Sequence, residues 1–188
     1  MPPNVRMTTE LFWFAAMVAA ALDVGLLFLA RWLVTPEGFG RLKWPLALAA
    51  GVFYTLLWAW VLDWGWDWFY RYIFPAWGRS LPLVFGVGYA LCGLGMWYLA
   101  QRFGQHPALA WCLLGGLEGL FSHIWAIWGL GAASKPPIIQ GANPWVVLIF
   151  AVFEKMFYWS GILLITAALS AVWQRIHLHQ TSQAGRLP

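Results

Sequence analysis

Five apolar stretches of about 20 residues each constrain this chain more than any other feature of its sequence. They run over Thr9–Leu33, Trp44–Leu62, Leu81–Ala100, Pro107–Leu130 and Pro144–Trp173. At a rise of about 1.5 Å per residue, about 20 residues cross the roughly 30 Å of bilayer hydrocarbon. Lipid offers no water to backbone N–H and C=O groups, so each stretch must bond its own backbone and is expected as a helix. The expected fold is therefore all-α, a polytopic membrane helix bundle of about five transmembrane helices. Residues 1–188 read as a single integral membrane domain.

Composition points the same way. The chain is 62% hydrophobic and only 10% charged, against about 25% charged in soluble domains, so it lacks the polar surface that keeps a domain dissolved. Its net charge of +4 is scattered, with no basic run to engage a nucleic acid. Cys92 and Cys112 lie inside apolar stretches without metal or redox spacing, as small packed hydrophobes do. The first apolar run continues past Asp23 through Leu26–Leu29, which suits an uncleaved span better than a leader peptide. The 16 Trp residues are expected mainly as belts at the span ends, where an amphipathic ring meets both lipid and water.

The connections 35–43, 102–106 and 134–143 are short, and Pro107, Pro136, Pro137 and Pro144 mark helix breaks. Asp63–Arg79 is longer. Asp63, Asp67 and Arg71 recur every four residues beside an aromatic stripe of Trp64, Trp68 and Tyr72. That pattern predicts one interfacial amphipathic helix over Trp64–Phe74, ended by Pro75. Counting Lys and Arg across the loops gives Arg31, Arg41, Lys43, Arg102, Arg175 and Arg186 on one side, against Arg6, Arg71, Arg79 and Lys135 on the other. The positive-inside rule then predicts an outside N-terminus and a cytoplasmic C-terminus, in a membrane of the bacterial inner (plasma) type.

Ionisable groups at membrane depth carry the chemical information, because they are costly to bury and are usually paired or functional. Asp23, Glu118, His123, Glu154 and Lys155 qualify. The nine Leu, Ile and Phe residues of the fourth span favour insertion by about 3–5 kcal/mol, and a lipid-facing charge at Glu118 would cancel about 3 kcal/mol of that. Glu118 is therefore expected to face other helices, to be protonated, or to have a partner. Glu118, Ser122 and Trp125 share one helix face. Gly116, Gly119 and His123 lie on another, where the small-xxx-small spacing of Gly115 and Gly119 admits a close neighbour and His123 is expected to hydrogen-bond across it. Glu154 and Tyr158 form a stripe on the fifth span, and Asp23 is expected to pair with Lys155.

Glu118 and Glu154 are the candidate catalytic acids, with Asp23, His123, Trp125 and Tyr158 as candidate substrate-binding residues. A desolvated carboxylic acid can donate a proton, and aromatic faces stabilise a resulting cation. The expected function is binding or conversion of a small apolar substrate such as an isoprenoid, quinone or lipid. A non-catalytic subunit of a larger membrane complex and a proton-coupled transporter are the alternatives, and a homo- or hetero-oligomer fits any of the three. No metal site is expected: Glu118 and His123 diverge by about 140° on their helix, and no ExxH or HExxH spacing occurs. The residues assign no cofactor, since haem would leave His123 without a second ligand at depth. Five spans, a long connection after the second, and the turn Gln105–His106–Pro107 resemble the emopamil-binding sterol isomerases. That resemblance implies isomerisation of an isoprenoid-like substrate. The family's His and Glu in the second span have no counterpart in Trp44–Leu62.

Overall fold

The computed structural model describes residues 8–63, 80–131 and 141–184. Its helices are α1 (Thr9–Leu33), α2 (Pro36–Arg41), α3 (Lys43–Asp63), α4 (Leu81–Gln101), α5 (Pro107–Ile124) and α6 (Pro144–Ala184). A π-helical turn, Trp125–Gly129, continues α5. No strand occurs among the described residues, and the chain is an all-α membrane bundle. Four helical segments are long and apolar enough to span a bilayer: Thr9–Leu33, Pro82–Gln101, Pro107–Gly129 and Pro144–Ile176. In the fifth long helix, α3, the described apolar portion is shorter, Lys43–Leu57. The amphipathic segment Trp64–Phe74 and the Pro136–Pro137 loop lie outside the described residues.

Local chemistry sets the helix ends. Thr8 caps α1 by accepting from the Leu11 N–H at 3.3 Å, with Glu10 in the first turn and Arg31 in the last, both favourable to the helix dipole. The connection after α1 is not the plain loop its length suggests. Thr35 accepts from the Gly38 N–H at 3.1 Å and Pro36 opens the turn, so 36–41 closes into the short helix α2. The last helix also exceeds its expected end at Trp173. At 41 residues it is about 62 Å long, roughly twice the hydrocarbon thickness.

The helices form two groups. In one, α3 and α4 make a close antiparallel pair. A Cβ on Gly51 would lie 2.9 Å from the Gly86 carbonyl oxygen and 2.9 Å from the Ala90 methyl, so only glycine permits this approach. In the other, α6 packs against both α1 and α5. A Cβ on Gly119 would come within 2.5 Å of the Ala151 carbonyl oxygen, and one on Gly115 within 2.6 Å of the Trp159 ring. The small-residue face of the fourth span thus does what its spacing predicts. Helices α1 and α6 run parallel: Thr9 accepts from the Asn143 N–H at 3.0 Å, and Phe12 meets Phe150 edge-on. Within its apolar window α6 is 56% buried and α1 only 17%, which makes α6 the core helix and α1 a peripheral one. The two groups meet along α3–α6 and α4–α5.

Tryptophans divide by position. Trp32, Trp44, Trp128 and Trp145 are exposed near helix ends, as a belt requires, and Lys43 stands over the Trp44 ring at 4.9 Å. Trp111 and Trp159 are instead fully buried between helices.

Candidate functional site

The seam between the two helix groups holds a hydrogen-bonded chain of side chains at mid-depth. Lys155 on α6 is almost fully buried and donates to the Tyr89 hydroxyl on α4 at 2.6 Å and to the Tyr54 hydroxyl on α3 at 3.2 Å. Tyr89 in turn donates to Glu118 Oε1 on α5 at 3.0 Å. The indole N–H of Trp159 donates to Glu118 Oε2 at 3.1 Å. Four helices therefore each contribute to one connected cluster, in which a phenol bridges a buried ammonium to a carboxylate.

Aromatic rings enclose this chain. Tyr89 is sandwiched face to face between Tyr54 and Trp159. Lys155 Nζ lies 4.6 Å from the Tyr54 ring centroid, 4.7 Å from that of Tyr89 and 5.4 Å from that of Tyr158. Desolvated cation–π contacts of this kind contribute about 2 kcal/mol each, and hydrogen bonds to charged groups about 1.5–3 kcal/mol. Together they are of the size needed to hold a charge out of water. Tyr158 crosses the cluster edge-on and anchors itself to the Ala50 carbonyl at 3.1 Å. Trp111 donates to the Trp159 carbonyl at 2.9 Å and packs edge-on against its ring.

Exposure changes along the chain. Lys155, Tyr54, Tyr89 and Trp159 are buried, whereas Glu118 is half-buried. The carboxylate is thus the outer end of a network whose inner end is closed.

The other sequence candidates lie as follows. Glu154 is half-buried, and Gly119 against Ala151 and Lys155 brings Glu118 and Glu154 to one level of the bundle. Both carboxylates are within electrostatic reach of Lys155. Asp23 does not pair with Lys155. It sits on the inner stripe of α1, 2% exposed, and neither carboxyl oxygen has a hydrogen-bond partner among the described residues. Its electrostatic neighbour is Glu154. The pairing fails because α1 packs on a different side of α6 from α3 and α4, whose tyrosines take up the ammonium. Ser160, beside Cys112 of α5, is also buried without a hydrogen-bond partner among the described residues.

His123 does not bond across the helix contact either. Its Nδ1 lies 3.0 Å from the Gly119 carbonyl of its own helix and 3.2 Å from Ser122 Oγ, so the preceding turn satisfies it. Trp125 is exposed, with its ring against Gly129 in the π-turn. Among the described residues no group of three or more His, Cys, Asp and Glu side chains is arranged to hold a metal ion.

Sequence reasoning missed Tyr54, Tyr89 and Trp159 as members of the site. A signal was present: both tyrosines fall near the middle of apolar stretches, where a belt residue does not belong. Their hydroxyls need a partner at that depth, and the buried Lys155 is the obvious donor.

Comparison with protein-family models, curated proteins and solved structures found no match.

Proposed function

We propose that this integral membrane protein binds a small apolar substrate, of isoprenoid, quinone or lipid type, and protonates it at Glu118. The observation that carries this reading is the polarity of the chain Lys155–Tyr89–Glu118, closed at the ammonium and half-open at the carboxylate. A proton leaving Lys155 Nζ for the Tyr89 oxygen displaces the phenolic proton onto Glu118 Oε1. The product is a neutral amine and a carboxylic acid, with the net charge unchanged. Glu118 then donates that proton to a carbon–carbon double bond of the substrate. Trp125, exposed on the Glu118 face of α5, offers an electron-rich ring to a developing cation. Glu154, at the same level, is the second acid, placed to take a proton from the adjacent carbon in an isomerisation.

Glu118→Gln tests this. Gln keeps the volume and one acceptor oxygen, so the bundle stays folded while the relay loses its terminal acid. Mass spectrometry of apolar molecules retained through purification is expected to find a ligand on the parent that is depleted in Glu118→Gln and in Glu154→Gln. Equal retention by both variants and the parent, at equal thermal stability, overturns the proposal.

Asp23 favours a second reading, proton-coupled transport. Acids on two sides of the core helix, one without a bonded partner, suit a carrier whose proton load changes during a cycle. Substrate flux into liposomes that follows an imposed pH gradient distinguishes it from the first. For either reading we propose that the C-terminus is cytoplasmic. Arg31, Arg41, Lys43, Arg102 and Arg175 all gather at the bundle end where α1 finishes and α3 begins. A reporter active only in the cytoplasm, fused at Gln183, is expected to be active, and a silent but well-expressed fusion reverses the orientation.

A further inference from the structure

A groove of about 920 Å³ opens at this basic end, apart from the Glu118 cluster. The end of α1, α2 and the start of α3 form one wall, and the α6 segment 165–176 forms the other. Its volume is at the upper end of the range of about 300–1,000 Å³ for small-molecule sites. Val34, Leu42, Pro45 and Ala49 on one side face Ile165 and Leu169 on the other, so the walls are apolar.

Two polar features interrupt that apolar surface. The first is a stripe on α6. Thr166, Ser170 and Gln174 all line the groove at i, i+4 and i+8, on one helix face. They grade from buried through half-buried to exposed towards the helix end. The deepest, Thr166, is 5% exposed, and its hydroxyl has no hydrogen-bond partner among the described residues. A buried hydroxyl without a partner costs about 1–3 kcal/mol, a cost that a ligand acceptor would remove. The second feature is Arg41, exposed on the opposite wall, which makes no ion pair among the described residues.

We propose that the groove is a binding site for an anionic phospholipid of the surrounding membrane. Its acyl portion lies between the apolar walls, an ester carbonyl accepts from Thr166, and Arg41 faces the phosphate. The charge of the site selects the ligand. Lys43 and Arg175 stand at the same end, and among the described residues no acidic side chain lines the groove. In a bilayer a lateral apolar groove is filled by lipid, and a polar stripe running inward from a basic mouth matches an amphiphile. It does not match a hydrocarbon. Arg forms bidentate hydrogen bonds to phosphate oxygens, whereas a choline ammonium at the same mouth meets like charge.

Native mass spectrometry of the full chain in micelles, with equimolar phosphatidylglycerol and phosphatidylcholine of identical chains, tests the assignment. The parent is expected to retain phosphatidylglycerol about fivefold over phosphatidylcholine, equivalent to about 1 kcal/mol for one basic side chain near a lipid surface. Arg41→Gln should abolish the preference and Arg41→Lys should keep most of it. Arg102→Gln, at the same end but outside the groove, should leave it unchanged. Leu169→Trp, at a position 66% exposed, fills the groove without touching the core and should lower retention of both lipids. Equal retention of the two lipids by the parent overturns the proposal. So does an Arg102→Gln loss as large as that of Arg41→Gln, which would mean diffuse surface charge. Stronger retention of free oleate than of phosphatidylglycerol also overturns it, by pointing to a fatty acid.

Discussion

The two sides of α6 solve the problem of buried polarity in opposite ways. Towards α3, α4 and α5, Lys155 meets two phenols, three aromatic faces and, through Tyr89, a carboxylate. Towards α1, Asp23 is as deeply buried but has no hydrogen-bond partner among the described residues. The partners on the first side come from four helices converging on a seam. The second side is lined by the Ala16 and Ala30 stripe of a peripheral helix, which brings backbone close but offers no donor. A dense polar network thus arises where four helices each bring a polar side chain, and an acid that no donor reaches remains unsatisfied. The first side is a structural lock as well as a candidate site. The second contributes little to holding α1 in place.

Lys155→Met should break this contrast most severely. Removing one partner of a buried charged network costs about 3–5 kcal/mol, because two phenols lose their donor and Glu118 loses the cation that Tyr89 links it to. Thermal unfolding in micelles should shift strongly downward. The double variant Lys155→Met/Glu118→Gln, with both charges gone, should recover part of that loss. An unchanged unfolding temperature for Lys155→Met would mean that the cluster does not hold the two helix groups together.

Gly119→Ala sharpens the comparison by acting on the packing that positions the network. Its new methyl would meet the Ala151 carbonyl oxygen and the Lys155 stem, so α5 must move away from α6 at a cost of about 1–3 kcal/mol. Tryptophan emission should report the disturbance around Trp159, which Glu118 and the α5 contact hold. Stability and emission both equal to the parent would show that the helices separate freely there.

The smallest effect is expected at Asp23. With no hydrogen bond to lose, Asp23→Asn should change stability by less than about 1 kcal/mol, and towards stabilisation, because it removes a buried carboxyl that no donor reaches. A loss comparable to that of Lys155→Met would erase the distinction between the two sides and reveal a polar tie on α1.

Much of the architecture was legible in the residues. Apolar run length alone locates all five long helices, since lipid leaves the backbone no alternative to internal bonding. Gly115 and Gly119 announce the α5–α6 contact, because a missing side chain has one use at a helix face in a membrane. Residues 36–41 escaped notice as a helix because a six-residue element carries almost no periodic signal. Run length also set the end of α6 too early, since it registers hydrocarbon and not helix. Past Trp173 the apolar signal fades while the backbone bonding continues.

The cost of burying Lys155, Glu118 and Asp23 was likewise calculable from sequence, because transfer into hydrocarbon depends on residue type and depth alone. Which group meets which was not. Glu118 was singled out, but its partners Tyr89 and Trp159 lie 29 and 41 residues away on other helices. Depth is a one-dimensional quantity that a hydropathy profile contains. The angular position of each helix about its neighbours is not in that profile, because helices apolar all round carry no mark of their inner face. Packing of small residues and the closure of one aromatic cage decide it, and with it whether Lys155 faces Asp23 or the tyrosines.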